Sequence, residues 1–129
     1  MNNINLEKNT STPYYPKVSF EVDSGNCEIE GESYMEEAYK FYLPLINWIK
    51  QYAQEEKGKI VLAIKLIYFN TSTSKCLLDI FEELKQYKDA GGKVQITWFY
   101  DPEDPDMIEE IKDFEREAEL QFNIRELKV

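Results

Sequence analysis

Hydrophobic positions in the middle of the chain predict a strand followed by a helix. Residues 60–67 are apolar at nearly every position, which suits a strand covered on both faces of a sheet. Apolar side chains then recur at helical spacing and predict an amphipathic helix packed on that sheet: Leu77, Ile80, Phe81, Leu84 and Tyr87. Residues 89–92 end in two glycines, which predict the carboxyl-terminal cap of the helix.

A second strand and a second helix are predicted before the carboxyl terminus. Residues 94–100 alternate with the period of a well-covered strand. Apolar side chains at helical spacing then predict a helix: Ile108, Ile111, Phe114 and Ala118. Asp104 and Pro105 precede this helix and predict an N-cap followed by a proline in the first turn. Residues 122–127 predict an edge strand.

The first half of the chain predicts a hairpin and then a helical region. Residues 18–22 alternate between apolar and polar side chains, and residues 23–26 are typical of a hairpin turn. Ser33, with Glu36 three residues later, matches a capping box and predicts the start of a helix. Pro44 is predicted to interrupt this helix or to begin a second one, because proline removes an internal hydrogen-bond donor.

The order of these elements indicates a small α/β fold. Strand–helix–strand crossovers are right-handed and place parallel strands side by side, whereas the hairpin adds an antiparallel pair. We therefore expect a mixed, partly parallel sheet with helices packed against it. Residues 13–129 are expected to form a single domain, and the polar residues 1–12 a flexible segment or a short edge strand.

The charge balance excludes several classes of partner. The chain has 15 basic and 25 acidic residues, a net charge of −10. This balance argues against nucleic-acid binding, which depends on neutralising phosphates, and against an anionic membrane surface. No apolar run reaches the roughly 18 residues that a membrane-spanning helix needs, and the first residues lack the features of a signal peptide. We expect a cytoplasmic protein without membrane insertion.

The residue types present also limit the chemistry. The chain contains no histidine, which removes Ser-His-Asp catalysis, histidine-ligated zinc and phosphohistidine transfer. The two cysteines, Cys27 and Cys76, have no metal-binding or redox spacing and are expected to be buried as small apolar residues. We expect no cofactor, no metal and no catalytic residue, and phosphate chemistry would have to use a hydroxyl or a carboxylate.

The most informative stretch lies where the first buried strand ends and its helix begins. Asn70 is followed by four hydroxyl residues: Thr71, Ser72, Thr73 and Ser74. One such residue suffices as an N-cap, so the others are available at the carboxyl end of a strand, where open α/β sheets place function. Lys75 is unfavourable near a helix N-terminus unless an anion such as phosphate occupies the site. The alternative is a solvated cap with Lys75 extended into water.

An acidic run begins just past the end of the second buried strand. It contains Asp101, Asp104 and Asp106, with Glu109 and Glu110 close behind. The run should lie near the Thr71 loop if the two strands are parallel neighbours. Acidic residues favour the amino-terminal end of a helix dipole, so the run has a structural interpretation. The alternatives are a divalent-metal site or a partner-binding patch, and no ligand spacing decides between them.

Four segments of the chain resemble the SiaC family of bacterial regulatory phosphoproteins. They are Thr12-Pro13, Gly31-Glu32-Ser33-Tyr34, Tyr68-Phe69-Asn70-Thr71-Ser72-Thr73-Ser74-Lys75, and Trp98-Phe99-Tyr100-Asp101 running on to Asp106-Met107. The third segment is the most specific, and the resemblance extends from about residue 12 to residue 122. The chain departs from the expected pattern at Met35, where the family has proline, and at Thr73, where serine is usual.

The resemblance implies a fold and a function. The family is similar to STAS-type anti-sigma-factor antagonists, which implies a STAS-like fold and a switch that is not an enzyme. A Ser/Thr protein kinase would phosphorylate the loop, and a PP2C-type phosphatase would reverse this. Only the unphosphorylated form would engage the output partner. In the characterised branch of the family that partner is a diguanylate cyclase, which implies control of cyclic-di-GMP and biofilm formation.

The resemblance also assigns roles to the loop. It implies Thr71, the hydroxyl residue directly after Asn70, as the phosphate acceptor, with Ser72 and Thr73 as alternates. Asn70, Ser74 and Lys75 would support the phosphate. From the acidic run itself, and not from the resemblance, we take Asp101, Asp104 and Asp106 as the candidate partner-binding residues.

Three hypotheses follow. The first is a phosphorylation-controlled binding protein, which predicts that substitutions at Thr71 change partner binding. The second is a constitutive adaptor whose acidic face binds a basic partner, which predicts binding that weakens with salt. The third is a metal-dependent hydrolase that uses Asp101, Asp104 and Asp106, and the absence of any nucleophile–base pair makes it the weakest.

Overall fold

The computed structural model describes residues 1–128 as a six-stranded sheet with three helices. The strands are β1 (Ile4–Leu6), β2 (Lys17–Phe20), β3 (Asn26–Ser33), β4 (Ile60–Phe69), β5 (Val94–Tyr100) and β6 (Asn123–Glu126). The helices are α1 (Ala38–Glu55), α2 (Thr71–Asp89) and α3 (Met107–Ala118). Val129, the last residue of the predicted domain, lies outside the described residues. The prediction of a small mixed α/β fold is confirmed.

The strands lie in the sheet in the order of the chain. β1, β2 and β3 are antiparallel neighbours, whereas β3, β4, β5 and β6 are parallel. The predicted hairpin is the β2–β3 pair, and the predicted edge strand is β6, which pairs with β5. The sheet is therefore mixed and partly parallel, as the order of elements predicts.

All three helices cover the same face of the sheet. Each helix connects two adjacent parallel strands, and right-handed crossovers between adjacent strands place their helices on one side. Consistent with this arrangement, α1 packs on α2 and α2 packs on α3. The core between this helical layer and the sheet includes an aromatic cluster around Trp98, formed with Phe69, Phe81, Phe114 and Phe122.

The prediction that β4 is covered on both faces is wrong. Ile60, Leu62, Ile64 and Leu66 are buried under the helices, while the alternate residues are only half-buried and Ile67 is 40% exposed. The second face of β4 is open because no element crosses it in residues 1–128. An apolar side chain is tolerated there since neighbouring strands shield part of its surface.

Helix α1 differs from its prediction at both Ser33 and Pro44. Ser33 is the last residue of β3 rather than a helix cap, and α1 begins at Ala38. Pro44 lies inside α1, which continues without interruption to Glu55. Buried side chains on both sides of Pro44, such as Tyr42 and Leu45, hold the helix on the sheet and outweigh the missing hydrogen bond.

The predicted carboxyl-terminal cap of α2 is confirmed, whereas the predicted N-cap of α3 is wrong. The glycine cap of α2 is confirmed: the N–H groups of Gly91 and Gly92 donate to the carbonyls of Lys88 and Tyr87, a Schellman motif with Gly91 at φ +100°. The N-cap of α3 is Asp106, not Asp104, and its side chain accepts no capping hydrogen bond. Pro105 consequently precedes the helix instead of starting it.

The amino-terminal residues lie against the sheet and α1. Ile4–Leu6 form β1, and the Trp48 indole donates to the Asn2 carbonyl at 3.0 Å. Among residues 1–128, no helix has both the length and the apolar character needed to cross a membrane.

Candidate functional site

The carboxyl ends of three adjacent parallel strands meet at one edge of the sheet. β3 ends at Ser33, β4 at Phe69 and β5 at Tyr100, and these strands are neighbours in that order. The Thr71 loop and the acidic run therefore emerge from adjacent strands at the same edge, as the sequence predicts. Connections at this edge are where open α/β sheets place ligand and partner sites.

A single residue, Asn70, joins β4 to α2 and ties both to the end of β3. Its backbone N–H donates to the Ser33 carbonyl at 3.1 Å, and its side-chain amide donates to the Met35 carbonyl at 3.0 Å. Its side-chain oxygen accepts from the Thr73 N–H at 2.9 Å, which makes Asn70 the N-cap of α2. Asn70 thus fixes both the start of the helix and its position relative to β3.

Thr73 belongs to a buried network of hydroxyl groups. Its hydroxyl donates to the Ser33 carbonyl at 3.0 Å and lies 2.8 Å from the Ser33 hydroxyl, which is 2.9 Å from the Tyr42 hydroxyl. Donation from Tyr42 to Ser33 and from Ser33 to Thr73 satisfies all three groups. Ser33 and Thr73 have no exposed surface, and burial raises the pKa of Tyr42. The network is a structural anchor.

The other hydroxyl residues of the loop are more accessible. Thr71, the first residue of α2, is exposed, and Ser72 and Ser74 are half-buried. The Ser74 hydroxyl donates to the Asn70 carbonyl at 3.2 Å, so it is engaged with the backbone. Lys75 is exposed one turn from Thr71. The intrahelical ladder starts with the Ser74 N–H, so the N–H groups of Thr71 and Ser72 precede it.

The acidic run forms a turn and the beginning of α3. The carboxylate of Asp101 accepts from the Glu103 N–H at 2.9 Å, and its carbonyl accepts from the Asp104 N–H at 2.8 Å. Asp104 and Asp106 are exposed. Within residues 1–128, no three acidic or cysteine side chains form a group that could hold a metal ion, so Asp101, Asp104 and Asp106 do not converge on one.

Helix α3 brings further acidic side chains toward the start of α2. Ser74 and Leu78 of α2 and Glu110 and Phe114 of α3 line a cavity of about 230 Å³ between the two helices. The carboxylates of this helix therefore lie close to the first turn of α2. An added negative charge on that turn would be repelled from this side.

A cluster of aromatic rings that is not evident from the sequence lies beside the loop. The Tyr68 ring lies 5.6 Å from Tyr34, which lies 6.0 Å from Tyr14, and Tyr14 lies 5.0 Å from Tyr15. Tyr15 in turn lies 5.3 Å from Phe41. The pair Tyr14-Tyr15 between two prolines was the available signal, but local spacing cannot show that residues distant along the chain extend it.

Comparison with known proteins gives the family. The family model described as SiaC family regulatory phosphoprotein matches residues 8–127, nearly the whole chain. An uncharacterized protein of Pseudomonas aeruginosa (strain UCBPP-PA14) is 25% identical over 125 residues, which cover 97% of both proteins.

Solved structures agree in fold. Apo-SiaC from P. aeruginosa superposes with a TM-score of 0.87 at 24% identity, covering 97% of this chain and 99% of the other. The structure of diguanylate cyclase SiaD in complex with its activator SiaC, from the same organism, contains a chain that matches with a TM-score of 0.84 at 24% identity. That match covers 98% of this chain and 100% of the other. The match across residues 8–127 shows that this protein belongs to the SiaC family of regulatory phosphoproteins.

Proposed function

We propose that this protein is a partner-switching regulator whose unphosphorylated form binds and activates an output protein, and that phosphorylation of Thr71 prevents this. Its membership of a family of regulatory phosphoproteins supports phosphorylation as the control. The likeness in fold to a structure described as SiaC, the activator of diguanylate cyclase SiaD, supports a diguanylate cyclase as the output protein. The product of such a cyclase is cyclic-di-GMP, a signal for biofilm formation.

The difference in burial among the hydroxyl residues of the loop is the main support for Thr71 as the phosphate acceptor. A kinase must reach the acceptor oxygen, and Thr71 is exposed whereas Thr73 has no exposed surface. Ser74 is engaged with the Asn70 carbonyl. Ser72 is half-buried and is the remaining alternate acceptor.

The start of α2 also suits a phosphate group. The N–H groups of Thr71 and Ser72, which precede the intrahelical ladder, and the positive end of the helix dipole attract an anion, and the exposed Lys75 adds a cation nearby. The phosphate would bring about −1.5 to −2 charges to a region that faces acidic α3. A partner that packs against the unmodified Thr71 side chain would then be displaced by the size and charge of the phosphate.

The proposed partners are a Ser/Thr protein kinase, a PP2C-type phosphatase and the output cyclase. The exposed carboxylates of Asp104 and Asp106, together with Asp101 behind them, are proposed to form part of the surface that these partners contact. All three carboxylates lie at the same edge of the sheet as Thr71, so one partner could cover both.

Phosphosite mapping by mass spectrometry tests the acceptor directly. We expect protein purified from its native cells, with phosphatases inhibited, to carry phosphate at Thr71. A Thr71→Ala variant should lose this phosphate, whereas the matched Ser72→Ala variant should keep it. Phosphate on Ser72 alone, or none under any growth condition, would contradict the proposal.

Partner binding tests the switch. We expect Thr71→Ala to bind the purified cyclase from the same cells and to raise its cyclic-di-GMP synthesis, and Thr71→Glu to do so at least about tenfold less well, since the added charge mimics phosphate. If the two variants instead bound equally well, and if this binding weakened as the salt concentration rose, the protein would be a constitutive acidic adaptor.

A further inference from the structure

A groove beside the Thr71 loop is lined by aromatic rings. It measures about 650 Å³ and is formed by Tyr14, Tyr15, Tyr34, Met35, Glu36, Glu37, Lys40 and Phe41. We call it the aromatic groove. Three parts of the chain build it: the segment before β2, the connection between β3 and α1, and the first turns of α1.

Hydrogen bonds hold the walls of the aromatic groove together. The Tyr34 N–H donates to the Tyr14 carbonyl at 3.0 Å, which ties the amino-terminal segment to the β3–α1 connection. The Lys8 ammonium donates to the Pro13 carbonyl at 2.8 Å, a second hydrogen bond that holds the same segment. The groove is therefore preorganised, because hydrogen bonds already hold its backbone in place, and this lowers the entropic cost of binding.

Exposed rings at the aromatic groove indicate a surface that another molecule covers. Tyr14 is 37% exposed, and Tyr68, whose ring lies 5.6 Å from that of Tyr34, is 55% exposed. Clustered tyrosines with centroids 5 to 6 Å apart present apolar faces that water covers poorly. Tyrosine is also among the residue types most enriched at binding hot spots.

The charges of the aromatic groove favour a cation. Two carboxylates, Glu36 and Glu37, and one ammonium, Lys40, line the groove, so its lining carries one excess negative charge, and Lys40 pairs with Glu37 at 2.9 Å. Glu36 is exposed and forms no salt bridge within residues 1–128. An uncompensated carboxylate beside aromatic rings matches the chemistry of a guanidinium or ammonium group, which is attracted by both.

We propose that the aromatic groove binds a peptide segment of a protein partner in which an arginine or lysine is flanked by apolar residues. The cation lies against the neighbouring rings of Tyr14 and Tyr34, whose centroids are 6.0 Å apart, and pairs with Glu36, while the flanking residues cover the rest of the aromatic surface. The net charge of −10 attracts such a segment over distance. This inference does not depend on phosphorylation of Thr71, so either can fail alone.

The aromatic groove is also in contact with the Thr71 loop. The Met35 carbonyl at its floor accepts from the Asn70 side chain, and the Tyr34 ring at its wall contacts Tyr68, two residues before Asn70. A segment bound in the groove therefore lies next to the start of α2.

NMR titration of the ¹⁵N-labelled full chain tests the proposal. The probe is a short capped peptide with one arginine between leucines, and its control is the same peptide with citrulline, which removes the charge but keeps the shape. We expect the largest shifts at Tyr14, Tyr34 and Glu36, and about three- to tenfold weaker binding of the citrulline peptide.

A matched pair of variants distinguishes binding in the groove from nonspecific attraction to the acidic surface of the protein. Glu36→Gln and Glu109→Gln each remove one exposed carboxylate, the first in the groove and the second on α3. We expect Glu36→Gln to weaken arginine-peptide binding about threefold or more, and Glu109→Gln to leave it nearly unchanged.

Several results would overturn the proposal. They are no shifts at millimolar peptide, shifts centred on α3, equal affinity for the two peptides, or equal effects of the two variants. Groove shifts that appear on concentrating the protein without peptide would show that a second copy of the chain occupies the groove instead.

Discussion

Two threonines in the first turn of α2 have opposite environments. Thr71 is exposed, whereas the Thr73 hydroxyl is buried and hydrogen-bonded to the carbonyl and the hydroxyl of Ser33. The same functional group is accessible to a kinase in one position and structural in the other. Burial rather than residue type therefore decides which hydroxyl can serve as an acceptor.

This difference predicts that removing the Thr73 hydroxyl destabilises the protein clearly, whereas removing the Thr71 hydroxyl has little effect on stability. Thr73→Val keeps the shape of the side chain but removes one of the two donors to the buried Ser33 carbonyl and a hydrogen-bond partner of the buried Ser33 hydroxyl, so we expect a loss of about 1–3 kcal/mol in the free energy of unfolding. Thr71→Ala should change it by less than about 0.5 kcal/mol, because the site is exposed. Urea denaturation of both variants measures this, and equal losses would contradict the assigned environments.

At the scale of elements, the sequence predicted correctly those features that depend on residues close together in the chain. The β2–β3 hairpin and the Schellman cap of α2 follow from turn and glycine residues close in the chain. The strand and helix on either side of Thr71 follow from hydrophobic period. The roles of Thr71 and the other loop residues stay predictions, since they depend on the kinase and partner.

Contacts between distant residues account for what the sequence analysis missed. Ser33 matches a helix cap locally, but its hydroxyl contacts Thr73, forty positions along the chain. Likewise, the residues of the aromatic groove become neighbours only when the segment before β2 packs on the β3–α1 connection. The open face of β4 depends on where all the helices lie. None of these contacts has a periodic signature.

Pro44 gives a prediction at the element scale. It occupies an exposed position inside α1, where proline removes the hydrogen bond to the preceding turn. Pro44→Ala restores this donor, so we expect α1 and the whole protein to be stabilised by about 1–2 kcal/mol, less than the full helix penalty because alanine also loosens the unfolded chain. Thermal and urea unfolding measure this change in stability. A destabilised variant would mean that the proline ring makes stabilising contacts in the folded protein.

At the scale of the whole molecule, burial links stability to alkaline pH. Desolvation raises the pKa of Cys27 and Cys76 above the ordinary 9.0, and that of Tyr42, Tyr52 and Tyr87 above the ordinary 10.0. Below these ordinary values both the folded and the unfolded chain keep the protons. Above them the unfolded chain releases protons that the folded chain retains, which favours unfolding.

We therefore expect the free energy of unfolding to fall as the pH rises above about 9–10. Urea midpoints measured from neutral to alkaline pH test this. The Tyr42→Phe variant is the control: it starts less stable because the Ser33 hydroxyl loses a partner, and its stability should decline less steeply with pH. Identical slopes for the two proteins would show that Tyr42 does not titrate differently on folding.

The anchors on either side of Thr71 limit how a modification there could act. Asn70 and Thr73 are both tied to the end of β3, so unwinding the first turn of α2 would break their contacts at a cost of ~3 kcal/mol or more. A phosphorylated protein would therefore differ from the unmodified one in surface charge while its backbone stayed the same. With no refolding step between the two forms, the response time would be set by the kinase and the phosphatase alone.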